Sequence, residues 1–159
     1  MELKEIEEKI KTTEAELNKL NALRNYYKEQ EKQEILSSNS AGFKKVLYLL
    51  KDEFISSPHR TKQYLEFHKV FKKEFTKLLK PYCSEIRINK PNHFDITGFF
   101  KLNSGTTFYF SISDLRWNKN NLLIRTAKNF EDYTGGSNKI IALNSDFNKN
   151  LIEFLKPYL

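Results

Sequence analysis

SEIRINKPNHFDITGFFKLNSGTTFYFSI, residues 84–112, changes the hydrophobic period of the chain from helical to two. Ile86 and Ile88 alternate with Glu85, Arg87 and Asn89. Phe94, Ile96, Phe100 and Leu102 alternate with Asp95, Thr97, Phe99 and Lys101, and Phe108, Phe110 and Ile112 with Thr107, Tyr109 and Ser111. Side chains of a strand point to opposite faces in turn, so each run reads as a strand with one buried face. Asn103-Ser104-Gly105 supplies a short hairpin turn between the second and third. A fourth strand over Leu122–Thr126 and a short fifth over Lys139–Leu143 extend the pattern to an antiparallel sheet of four to five strands.

The residues before this stretch follow a helical period. Phe43, Val46, Leu47, Leu50 and Phe54 predict a helix of about four turns. Ser57 as N-cap and Pro58 at the first helical position predict a second, running to about Lys80 with the stripe Tyr64, Phe67, Phe71, Phe75 and Leu78. Downstream, Phe147, Leu151, Ile152 and Leu155 predict a C-terminal helix over about 146–155. Pro81 and Pro157 stop the helices they follow. The inward strand residues and these stripes can share one core, which predicts an α+β domain with helices on one sheet face.

Leu3, Ile6, Ile10, Thr13, Leu17, Leu20, Arg24 and Tyr27 are spaced alternately by three and four, the seam of a coiled-coil-like helix. The small polar run 37–42 ends it. The expected organisation is a helical arm, 1–36, and an α+β globular domain, 37–159. The arm is expected to form a coiled-coil homodimer, the alternative being a long helix packed on its own domain. Charge leaves its orientation open, since parallel pairing sets Lys9 against Glu14 of the other copy but Glu2 against Glu7.

The formal charge is +7, and residues 1–36 hold 7 Lys/Arg against 9 Asp/Glu, so the basic character belongs to the body. Residues 43–80 hold 10 Lys/Arg against 4 Asp/Glu. A basic balance favours acidic partners, nucleic acid foremost. The single cysteine, Cys83, excludes an internal disulfide and a cysteine-rich zinc site. With neither a signal peptide nor an apolar run of membrane length, the expectation is a soluble, cytoplasmic protein without a membrane partner.

Two surfaces stand out. The outward face of the sheet carries Arg87, Phe99, Lys101, Tyr109, Leu123 and Arg125. Exposed, its rings can stack on unpaired bases while its cations meet phosphates; alternatively, a second layer, the arm or a partner chain, covers it as core. With Lys69, Lys72 and Lys73 of the basic helix, Arg87, Lys101, Tyr109 and Arg125 form the candidate nucleic-acid contact set. The second surface lies in the polar and aromatic run after the third strand. There Asp114, Arg116, Trp117, Lys128, Asp132 and Tyr133 are candidate partner-binding residues, because loops carry function and these residue types dominate interface energetics. Ion pairing of Asp114 with Arg116 and of Asp132 with Arg125 is the purely structural alternative.

No Walker loop, Rossmann fingerprint or metal-ligand spacing of His59, His68 and His93 is present, so no cofactor or metal is expected. A metal-dependent nuclease built on Asp95 and Asp114 would want a Glu-x-Lys on the third strand, where Ser111-Ile112-Ser113 stands. The expectation is therefore a binding protein and not an enzyme. At SISDLRW, LLIRTAK and DYTGGSN the chain resembles small uncharacterised proteins of phages and other mobile elements of low-GC bacteria. That resemblance, over roughly 94–143, implies a context in which small proteins bind nucleic acid or block host defence complexes, as anti-CRISPR inhibitors do. Nucleic-acid binding is the first expectation, an inhibitor or adaptor of a host protein or nucleoprotein complex the second, and a nuclease the third.

Overall fold

The computed structural model describes residues 2–51 and 58–159. They fall into two compact units, Met1–Ala41 and Gly42–Leu159. The first holds one helix, α1 (Leu3–Ser37), uninterrupted by glycine or proline. Glu2 and Glu5 form a capping box at its start, with the Glu2 N–H donating to Glu5 Oε2 at 3.3 Å. This answers backbone donors that a helix N-terminus leaves open. No residue of α1 is buried.

The second unit runs α2 (Lys44–Leu49), α3 (Pro58–Leu79), β1 (Cys83–Ile88), β2 (Ile96–Leu102), β3 (Thr107–Ile112), β4 (Asn121–Ala127), β5 (Lys139–Ala142) and α4 (Phe147–Leu155). The strands form an antiparallel meander in the order β1-β2-β3-β4-β5. This is the expected α+β architecture, with all five strands present. The β2–β3 hairpin closes as expected, Gly105 adopting φ +106° and donating its N–H to the Leu102 carbonyl at 2.9 Å. Helix α2 is shorter than the predicted four turns; Phe54 and Ser57 lie outside the described residues. No helix among the described residues is long and apolar enough to cross a membrane.

The core lies between the inner sheet face and the helices. Phe67, Phe71, Phe75 and Leu79 of α3 meet Phe100, Phe108, Phe110 and Ile124 of the sheet and Phe147 and Leu151 of α4, all at most 1% exposed. Phe75 sits 4.8 Å from the Phe110 ring and 4.9 Å from Phe71. Leu79, not the predicted Leu78, takes the last core position, because steps of four from Phe67 keep one helical face. Gly98 is packed so closely that a Cβ there would lie 2.3 Å from the Arg87 carbonyl oxygen and 2.8 Å from Phe110 Cζ. Helix α2 is joined to α3 by a buried ion pair, Lys45 Nζ to Glu74 Oε1 at 3.5 Å, with side chains 5% and 3% exposed.

Candidate functional site

The aromatic stripe of α3 faces inward, and its opposite side presents lysines. Lys69, Lys72, Lys73, Lys77 and Lys80 are all exposed and, with Thr76, line one shallow depression. Their spacing keeps them on one face over roughly 16 Å of helix. Between Lys69 and Lys80 the one acid is Glu74, and it is turned inward to Lys45, with Lys77 at the margin 3.9 Å away. Between Lys69 and Lys80 the stripe therefore reaches solvent with no exposed acid within it, Glu66 lying one turn before it.

The outward sheet face is not the open platform that one sequence reading allows. The β4–β5 connection, residues 128–138, folds back over it. Phe99 is fully buried there, stacked on Phe130 at 5.7 Å and meeting Tyr133 edge-on at 5.2 Å. Arg125 is 3% exposed. Its guanidinium lies 4.5 Å over the Tyr109 ring, donates to the Asp132 carbonyl at 2.7 Å and stands 3.9 Å from Asp132 Oδ2. The covered alternative is thus the observed one, but the cover is the chain's own loop, not the arm or a partner. Arg125 and Tyr109 are corrected from phosphate and base contacts to components of this second packing layer. A guanidinium sandwiched between a ring and a carboxylate cannot also meet a phosphate without breaking the layer. Arg87 keeps 54% of its side chain exposed, 3.6 Å from Glu85 and 5.1 Å over Phe130, and Lys101 is exposed.

Asp132 organises the covering loop. Its Oδ2 accepts the Lys128 N–H at 2.9 Å, and its Oδ1 accepts the Thr134 hydroxyl at 2.6 Å and the Thr134 N–H at 3.2 Å. These bonds, that of the Thr134 hydroxyl foremost, lower its pKa to about 2. Tyr133 remains 59% exposed although its ring edge is engaged, and Lys128 is exposed. A folded-state pKa below the ordinary carboxylate value contributes stability present above about pH 4 and lost as pH falls through about 2. Asp132→Asn is therefore expected to flatten the acid limb of stability in that window. Urea unfolding at pH 2, 3, 4 and 6 checks it, and an unchanged acid limb counts against the loop role.

The β3–β4 connection is also tied down. Asp114 and Arg116 form a two-point pair, Nε to Oδ1 at 2.8 Å and Nη2 to Oδ2 at 2.6 Å, and Arg116 lies 4.7 Å over Phe94. Both ion pairs of the structural alternative are thus present. Leu115 is buried, its N–H donating to the Phe94 carbonyl at 2.8 Å. Trp117, next to this anchor, is 85% exposed. The loop therefore holds a tryptophan out in solvent on a fixed turn.

Asp95 lies beside Tyr64 and His68. Tyr64 Oη accepts the Asn92 N–H at 2.9 Å and donates to the Asp95 carbonyl, and His68 Nε2 donates to the Asn89 carbonyl at 3.0 Å. His68 is buried. Burial raises the Asp95 pKa and lowers that of His68. Among the described residues no group of three His, Cys, Asp or Glu is disposed to hold a metal ion. Burial pushes the Cys83 thiol up to about 11, which suits it poorly to nucleophilic work.

Sequence reasoning located the lysine stripe and the exposed tryptophan but missed Phe130. The available signal was an aromatic residue in a loop next to a strand whose outward position is phenylalanine. No protein-family model, curated protein or solved structure matches the chain.

Proposed function

We propose that this is a nucleic-acid-binding protein that acts by contact and not by catalysis, gripping the phosphate backbone with the α3 lysine stripe. One observation carries the reading: Lys69, Lys72, Lys73, Lys77 and Lys80 share an exposed face, and between Lys69 and Lys80 the one acid, Glu74, is buried against Lys45. Lysines are strongly hydrated point charges that bind phosphate without reading bases, so affinity is salt-dependent and weakly sequence-dependent. Arg87 and Lys101 are additional solvent-facing cations. The resemblance to mobile-element proteins agrees with this role.

Fluorescence anisotropy with labelled single- and double-stranded oligonucleotides, at 50 and 200 mM salt, tests it. The expected result is binding that weakens steeply with salt. Lys69→Glu/Lys72→Glu/Lys73→Glu is expected to reduce the logarithmic salt slope by about three, roughly one per lost phosphate contact. No binding to any probe at 50 mM salt rejects the proposal.

A second reading, an anti-CRISPR-like inhibitor or adaptor docking on a host complex, is supported by Trp117, which stands 85% exposed on a braced turn. Inhibition of a purified CRISPR nuclease that survives the lysine reversals but is lost in Trp117→Ala supports it. Absence of inhibition removes that inhibitor role.

A further inference from the structure

We infer that α1 is one strand of a parallel, in-register two-stranded coiled coil whose other strand is a second copy of this chain. The seam is open: Leu3, Ile6, Ile10, Leu17 and Leu20 are 70%, 40%, 51%, 56% and 62% exposed. Ile6, Ile10, Thr13 and Leu17 line an apolar groove flanked by Lys9 and Glu14. A 35-residue helix with no buried residue has little tertiary packing to hold it, and lone helices are marginal in water. The stripe is narrow, one residue wide at spacings of three and four, which fits a coiled-coil seam better than the broad face a helix turns to a globular core.

Charge selects the second copy and its direction. With Leu3 at position a and Ile6 at d, Lys9 is a g position and Glu14 the following e position. Parallel in-register pairing sets Lys9 of each copy against Glu14 of the other, two favourable contacts by symmetry. The opposing term is Glu2 facing Glu7. The structure weakens it, because Glu2 is engaged in the capping box with Glu5 at the helix N-terminus, where a carboxylate is favourable. The antiparallel register that overlaps all of 3–27 sets Glu14 against Glu14 and Glu16 against Glu16, and leaves Lys9 opposite Leu23. The parallel arrangement also places the ends of both arms, at residue 37, together. Both lysine stripes are then tethered from one end, a consequence for the proposed phosphate binding on which the pairing itself does not depend.

Sedimentation of the full chain is expected to give twice its 18.9 kDa mass. In a Cys83→Ser background, Ile6→Cys is expected to oxidise to a disulfide-linked dimer. The antiparallel overlap instead sets residue 6 opposite residue 24, separating the two introduced thiols by about 27 Å along the axis and forbidding that bond. Lys9→Glu is expected to weaken the dimer about tenfold, and Lys9→Glu/Glu14→Lys to restore it, with helicity of each folded variant checked by circular dichroism. A monomer or a larger oligomer overturns the inference, as does a dimer that forms no disulfide at residue 6 or a charge swap that fails to restore association. The mass measurement uses no nucleic acid, so its failure is distinct from failure of the phosphate-binding proposal.

Discussion

Phe99→Ala is expected to cost about 3–5 kcal/mol of folding stability, the range for deleting a large buried ring. On an open sheet face the same change would be close to neutral. Phe99 is instead held between Phe130, Tyr133 and Tyr109, at ring distances of 5.7, 5.2 and 5.3 Å. Removing it leaves a cavity under the β4–β5 loop and withdraws the partner against which Phe130 packs. Urea unfolding followed by circular dichroism and by Trp117 fluorescence measures the change. A loss below about 1 kcal/mol would mean that the loop does not close over the face in solution. The measurement thus decides whether the sheet is a protein interior or a nucleic-acid platform, and we expect interior.

Lys45→Met is the second large effect, expected at about 3–5 kcal/mol. It leaves Glu74 buried, 3% exposed, with Lys77 Nζ 3.9 Å from its Oε1 at the solvent margin. Among the described residues Glu74 Oε1 has no hydrogen-bond partner, so its charge rests on these ion pairs. Lys45→Met/Glu74→Leu is expected to recover most of the loss, because two apolar side chains of similar volume avoid burying either charge. The double variant also leaves the exposed lysines in place and should bind nucleic acid as the parent does. Equal destabilisation in the single and double variants would contradict the buried-pair account. The pair has a functional corollary: by sequestering Glu74, it keeps the one acid between Lys69 and Lys80 from neutralising the lysines there.

Local period was enough to read the helices and strands. Alternation in 84–112 required strands, steps of three and four in 3–27 required a helix with a seam, and Gly105 required the turn. Inward residues such as Phe100, Phe110 and Ile124 were legible because one buried face imposes a period of two. The lysine stripe was legible for the matching reason, since it is the complement of the Phe67, Phe71 and Phe75 stripe.

What alternation could not say is what covers the second face of the sheet. Period two assigns Phe99, Tyr109 and Arg125 to one side, but burial there depends on residues 128–138 returning across the strands, a contact between segments distant in sequence. Phe130 and Asp132 make that return favourable, one by stacking on Phe99 and the other by bonding the loop backbone and Arg125. The same holds for Glu74, whose helical position suggests a solvated acid until Lys45 of α2 is packed against it. Sequence determines which side of an element a residue takes; tertiary packing decides whether that side meets water, because desolvation depends on what arrives from elsewhere in the chain.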